Sequence, residues 1–204
     1  MALTTSLPRT AKERGKIAPA KFAHIVFQTS RYDEMVLWYK TVLEAEAMFE
    51  GPAGIFLTYD DEHHRVAIFN MPHLADCPPQ VNGMAHCAFT YETLDDLFAT
   101  YERLEGLGIT PYWCINHGTT LSMYYKDPDG NQIELQIDIF DSLEATNAWF
   151  ERSDFDINFI GVRMNPIDLI ARYRGGEERH ILLDRPVIDP SEVLNQLPEA
   201  PAID

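Results

Sequence analysis

Cysteine is scarce. Cys77, Cys87 and Cys114 are odd in number and show no CxxC spacing, which excludes a disulfide framework and reads as reduced thiols in a cytoplasmic protein. Positive charge is scarce as well: 16 Lys and Arg stand against 32 Asp and Glu, a formal charge of -16. Nucleic acid and anionic membrane surfaces both demand a basic footprint, so neither is expected as a partner, and a polyanionic substrate is disfavoured. Long apolar runs are missing too. No segment approaches the roughly 20 residues of a membrane span, and the first twenty residues lack a signal-peptide core. Those residues carry Arg9, Lys12, Arg14 and Lys16 between Pro8 and Pro19, and residues 1–20 read as an N-terminal arm rather than a transit peptide.

What is present is a core. A hydrophobic content of 46% with 11% aromatics supports packed structure over most of the 204 residues. Three short runs alternate apolar and polar side chains, and each sets one metal-ligand type on its polar face. In FAHIVF, Ala23, Ile25 and Phe27 turn His24 to the opposite side; in GMAHCAF, Cys87 and Phe89 do so for His86; in GNQIELQID, Ile133, Leu135 and Ile137 do so for Glu134. Two imidazoles and one carboxylate, with other coordination positions open, suit a divalent transition metal, notably non-haem Fe(II).

Laying His24 over His86 exposes a repeat. After His24 come Ser30 and a helical stripe of Met35, Trp38, Tyr39 and Val42; after His86 come Thr93 and the stripe Leu94, Leu97, Phe98, Tyr101 and Leu104. Each helix opens on a capping-box pattern, Ser30 to Asp33 and Thr93 to Asp96, and the second closes at Gly108. Strands are expected at about 45–50, 54–59 and 64–70, and again at about 110–116, 121–126 and 132–138. Each half therefore reads β-α-β-β-β, with modules at about 22–75 and 83–139 and with Pro78 and Pro79 in the link. The fold class is α+β: two βαβββ modules forming a curved mixed sheet around a metal cleft, in a domain spanning 21–139. Residues 140–204 form a C-terminal helical extension and tail. Helices are expected at 141–152 and after Asn165-Pro166, followed from Arg185 by a proline-rich acidic stretch that wraps the surface or frays and shows no chemistry.

The segment from Ile115 to Glu134, with His117, Tyr124 and Asp127-Pro128-Asp129-Gly130 ahead of the glutamate, resembles the signature of type I extradiol ring-cleaving dioxygenases. These enzymes belong to the vicinal oxygen chelate superfamily, together with glyoxalase I and bleomycin-resistance proteins, and its members are built from paired βαβββ modules. By position, the resemblance implies His24, His86 and Glu134 as metal ligands. His117 and Tyr124 correspond to the signature histidine and tyrosine; the Tyr-x-x-Asp-Pro spacing selects Tyr124 over Tyr125. A further family histidine, on the last strand of the first module just before a short apolar stretch, corresponds to His64, with His63 as the fallback. One departure stands out: some relatives carry an acidic residue shortly after the signature histidine, whereas this chain has Gly118, Thr119 and Thr120. The chain also resembles the one-domain kind, without the metal-free N-terminal domain of the two-domain enzymes.

A lone strand histidine is ordinarily a satisfied structural residue, but matched positions in two repeats favour ligation for His24 and His86. His73 and His180 read as structural and surface residues, and Trp113 and Trp149 as packing. The resemblance implies an Fe(II)-dependent (or Mn(II)-dependent) extradiol dioxygenase acting on a catechol and O2, in which His64 handles the substrate proton while Tyr124 and His117 anchor the hydroxyl. A homo-oligomer is expected. The alternatives are a glyoxalase-type lyase or isomerase and a small-molecule (antibiotic) binding protein. Glyoxalase-like sites draw a fourth ligand from the last strand of the first module, and here Arg65 to Asn70 offers no carboxylate.

Overall fold

Alternation along Ile25–Thr29 (β1) turns Phe27 and Thr29 inward and leaves Val26 and Gln28 exposed. The helix that follows, Tyr32–Leu43 (α1), buries Met35, Trp38, Tyr39 and Val42, the one-face stripe read from the sequence. It packs on Val66–Asn70 (β4), and the Tyr39 ring lies 5.1 Å from that of Phe27. Glu46–Gly51 (β2) and Gly54–Thr58 (β3) complete a four-stranded sheet in the order β1-β4-β3-β2, parallel between β1 and β4 and antiparallel elsewhere. In the computed structural model of the chain, residues 9–76 and 82–198 are described. Cys77, Pro78 and Pro79 of the expected link, Pro8 of the arm and Pro201 of the tail lie outside them.

The second module repeats the plan with Cys87–Thr90 (β5), Leu94–Gly106 (α2), Trp113–Asn116 (β6), Thr120–Lys126 (β7) and Gln132–Asp138 (β8). Thr93 caps α2 as expected, its hydroxyl accepting the Asp96 N–H at 3.1 Å, and Gly108 follows the helix at φ +77°. The expected box at Ser30 does not form. The N-cap of α1 is Arg31, which makes no side-chain cap; its N–H is taken instead by the Thr29 hydroxyl at 2.8 Å. β6 begins at Trp113 rather than near 110, because Pro111 has no N–H to give to a ladder. The sheet order is β5-β8-β7-β6-β9, where Val162–Arg163 (β9) is a strand supplied by the extension.

Leu143–Arg152 (α3) and Pro166–Arg174 (α4) are the two expected helices of the extension, capped by Ser142 and Asn165. A short helix, Arg179–Leu182 (α5), and two 3₁₀ turns, Pro190–Glu192 and Leu194–Gln196, follow. Over the described residues, the tail from Arg185 is packed rather than frayed. Val193 is buried with Ile115, Tyr124 and Ile160, and Ile188 packs against the same cluster.

By contacts the chain forms two compact units. Of the described residues, one comprises those of Arg9–His86 with Lys126–Gln132, and the other those of Cys87–Tyr125 with those from Ile133 onward. The Asp-Pro-Asp-Gly-Asn loop thus belongs to the unit of the first module. There the Asp127 carboxylate accepts the N–H groups of Asp129 (3.0 Å) and Asn131 (2.8 Å), the Asn131 amide (2.9 Å) and the Tyr39 hydroxyl (3.0 Å). Arg31 adds an ion pair to Asp129 at 3.0 Å and another to Asp76 at 2.7 Å. Among the described residues, no helix is long and apolar enough to cross a membrane.

Candidate functional site

His24 and His86 hold equivalent places, each the residue immediately before the first strand of its module, and both are exposed. Strand register extends the equivalence. β1 and β4 run parallel with Val26 opposite Ala67, and β5 and β8 run parallel with Ala88 opposite Glu134. Overlaying the modules therefore sets Ala67 on Glu134. Where the second module carries a carboxylate, the first carries a methyl group, 1% exposed. Among the described residues, no group of three or more His, Cys, Asp or Glu side chains is gathered in a form that could hold a metal ion. His24 and His86 lie in the first unit and Glu134 in the second.

Within the first unit, His64 and His24 come together with ring centroids 4.3 Å apart. His64 is 9% exposed and stacks on Phe56 at 4.5 Å, while the side chain of its neighbour His63 is 69% exposed. The expected alternation of His63 and His64 does not hold, because both precede β4 and their rings lie only 4.4 Å apart; His64 is the one beside His24. The Nδ1 atoms of His63 and His64 lie 2.5 Å apart, so one of the two must be donor and the other acceptor. Burial holds the His64 pKa below the usual imidazole value, and the neighbouring His24 and His63 push in the same direction. The shift favours the neutral imidazole, the form able to accept a proton.

Arg65 contributes a contact that no motif signals. Its Nη1 donates to the carbonyls of Phe22 (2.8 Å) and Ala23 (3.0 Å), and its Nε to Asp60 at 2.9 Å. The segment leading into His24 is therefore tied to the residue following His64.

Within the second unit, Ile133, Leu135 and Ile137 pack on one face of β8 and leave Glu134 on the other, 4% exposed. Tyr124 is hydrogen-bonded to Glu134. Burial first, then the charge and hydrogen bond of Glu134, raise its phenol far above the usual range. Tyr112 is pushed up to about 12 by burial and by the same carboxylate. Tyr125 occupies the opposite face of β7, buried near Cys114 and Tyr101. The tyrosine beside Glu134 is Tyr124.

His117 joins this group, its Nε2 lying 3.0 Å from the Tyr124 hydroxyl. Its Nδ1 lies 2.5 Å from the main-chain carbonyl of Ile160. The missing acidic residue after His117 is thus answered by the extension, through an atom with no side-chain signature. Gly118 is required by space, since a Cβ there would come 2.1 Å from the Trp149 ring, and its φ is +93°. Trp113 lies 4.7 Å from the Tyr124 ring and donates its N–H to Gln196 at 2.8 Å, so the tail also braces this face. Trp149 packs against Phe140, Phe150 and Phe155 and beneath Arg185. His73 lies exposed in a turn, and His180 is exposed 3.2 Å from Glu178.

The donor chemistry fits a divalent cation. A carboxylate as enclosed as Glu134, beside phenols that hold their protons, calls for compensation by donors or a cation. Imidazoles at His24 and His86 are ligands of matching character.

Residues 21–135 match the family described as the Glyoxalase/Bleomycin resistance protein/Dioxygenase superfamily. Two curated proteins of Rhodococcus globerulus are similar. Biphenyl-2,3-diol 1,2-dioxygenase 2 is 46% identical over 151 residues, covering 74% of this chain and 80% of that protein. Biphenyl-2,3-diol 1,2-dioxygenase 3 is 41% identical over 177 residues, covering 86% and 93%. Among solved structures, a glyoxylase/bleomycin resistance protein/dioxygenase domain from Frankia sp. EAN1pec aligns with a TM-score of 0.50 at 15% identity, over 63% of this chain and 99% of that one, a likeness of fold.

Proposed function

This chain belongs to the glyoxalase/bleomycin resistance protein/dioxygenase superfamily, and we propose that it is an Fe(II)-dependent extradiol dioxygenase that opens a catechol-type ring with O2. The observation that carries this reading is Ala67. The register of β1 with β4 gives the first module no counterpart of Glu134, which supports a donor set of three, His24, His86 and Glu134, over a set of four. Such a set leaves positions open for a chelating diol and for dioxygen, whereas a glyoxalase-type site uses a fourth protein donor. The names of the Rhodococcus globerulus relatives point to a diol on a biaryl framework as the substrate.

When bound, the iron supplies a path for electrons between the diol and dioxygen. The chain's own groups handle position and protons. Tyr124 and His117 hydrogen-bond a substrate hydroxyl and fix its orientation. His64, whose neutral form burial favours, takes the proton of a substrate hydroxyl on a ring nitrogen and returns it as the ring opens. Both atoms of dioxygen enter the product, so no external reductant is needed. Mn(II) would satisfy the same donors.

The domain is taken as residues 21–139, with an arm before it and the extension after it. We further infer a homo-oligomer working in the cytoplasm. The half-buried thiols of Cys87 and Cys114, both raised in pKa by desolvation, are consistent with a reducing compartment.

The test is anaerobic reconstitution with Fe(II), followed by biphenyl-2,3-diol and simple catechols in air. A yellow ring-opened product with stoichiometric oxygen uptake is expected. One tightly bound iron with no oxygen uptake on any diol would overturn the reading.

A further inference from the structure

The extension reaches His117 through a single main-chain atom. A carbonyl oxygen can only accept, so the Nδ1 lying 2.5 Å from the Ile160 oxygen carries the proton. In a neutral ring Nε2 then has the lone pair, and it can accept the Tyr124 phenolic proton across 3.0 Å.

The Ile160 carbonyl is held by a buried frame. Asn158, fully buried, closes a turn on Gly161 by donating to its carbonyl at 3.1 Å and accepting its N–H at 2.8 Å. The Asn158 carbonyl in turn accepts from Arg185 at 2.7 Å, and Arg185 is paired with Asp154 and lies 5.0 Å over the Trp149 ring. On the other side, Gly161 passes so close that a Cβ would come 2.4 Å from the Asn116 carbonyl oxygen and 3.0 Å from the His117 Cα. Asn116 is itself fixed, accepting the Gly118 N–H at 2.8 Å and donating to the Leu183 carbonyl at 2.9 Å. Both the ring and its acceptor are therefore tied to one network.

We propose that Asp154, Arg185, Asn158 and Gly161 form a positioning frame that locks His117 in its Nδ1–H tautomer. The functional part rests on reading His117 as a substrate-facing group. Tyr124 has one proton and two acceptors, Glu134 and Nε2 of His117. With Nδ1 protonated, Nε2 competes for that proton. In the other tautomer Nε2–H would donate to the phenol oxygen and drive the phenolic proton onto Glu134. The frame thus decides whether Nε2 of His117 can receive the Tyr124 proton at all, and so what the phenol oxygen presents to a substrate hydroxyl.

The test reads the tautomer directly. Long-range ¹H–¹⁵N spectra of the full chain, labelled at histidine, report the protonated nitrogen of His117; the signal is assigned by its loss in His117→Gln. The wild-type ring should show the Nδ1–H pattern. Asp154→Asn and Asn158→Ala should move it toward Nε2–H or an average of the two. In the iron-loaded chain, kcat should fall about 10–100-fold with KM nearly unchanged, the scale of losses when a group orienting a site residue is removed. A wild-type Nε2–H pattern overturns the proposal. So does an Asp154→Asn variant that melts cooperatively and keeps the wild-type pattern. If Asn158→Ala does not fold, Asp154→Asn and Arg185→Lys decide. The spectra require no turnover, so a chain that cleaves no diol but shows the shift would sink the dioxygenase reading and leave the tautomer lock standing.

Discussion

Nε2 of His117 lies 3.0 Å from the phenol oxygen of Tyr124, and the same phenol is hydrogen-bonded to Glu134. A candidate metal ligand and a candidate substrate-binding histidine are therefore joined through one hydroxyl. Tyr124→Phe removes that hydroxyl while keeping the buried ring. It should lower kcat/KM for diol cleavage about 10–100-fold, the range for losing a positioned polar group. Iron content, measured on the purified protein, should change little. An equal loss of iron and activity would make Tyr124 a support for Glu134 rather than a contact to substrate.

Ala67 tests the three-donor set. Ala67→Glu puts a carboxylate at the first-module position equivalent to Glu134. It should tighten divalent metal binding and abolish oxygen uptake. The position is 1% exposed, so overpacking should also lower stability by about 1–3 kcal/mol, visible in the melting temperature. A folded variant with unchanged metal affinity and full turnover would show that Ala67 does not face the metal.

Arg65 holds the carbonyls of Phe22 and Ala23, immediately before His24. Arg65→Ala frees that segment and should weaken iron binding about 10–100-fold, as loss of groups that orient a ligand does. Titration with a competing chelator measures this. Unchanged affinity would assign Arg65 to the local ion pairs with Asp60 and Glu62 alone.

Asp127 links the Asp-Pro-Asp-Gly-Asn loop to Tyr39, and burial raises its carboxyl above the ordinary value despite the hydrogen bonds it accepts. A folded-state pKa raised above the unfolded one means the folded chain binds the proton more tightly. That contribution to stability is full below the ordinary carboxylate pKa, near 4, and is lost as pH rises through the raised value. Asp127→Asn keeps one acceptor and removes the titration. Denaturant melts of both proteins from pH 4 to 7 should show the wild type losing stability relative to the variant as pH rises. Parallel curves would mean that Asp127 titrates alike in both states. Asp127→Ala, which strands two loop N–H groups, should cost about 1–3 kcal/mol throughout.

Much of this molecule is decided by near neighbours along the chain. The stripe Met35, Trp38, Tyr39 and Val42 and the cap at Thr93 depend on spacings of three and four residues. The alternation that exposes His24 and sets Glu134 on a polar face depends on a spacing of two. Such patterns are written in order, so both modules, their repeat and the equivalence of His24 with His86 are legible in the sequence. The choice between His63 and His64 was not, because both precede β4 and alternation does not decide between them; Phe56 and His24, brought in by other strands, bury His64. Nor was the start of α1, whose N-cap is Arg31 without a side-chain cap rather than Ser30. The partner of His117 lay furthest from view. It is a carbonyl 43 residues away, held by Asn158 and Arg185, which look unremarkable in sequence. A main-chain oxygen is the same at every position, and only the tertiary path of the extension decides which one meets the ring.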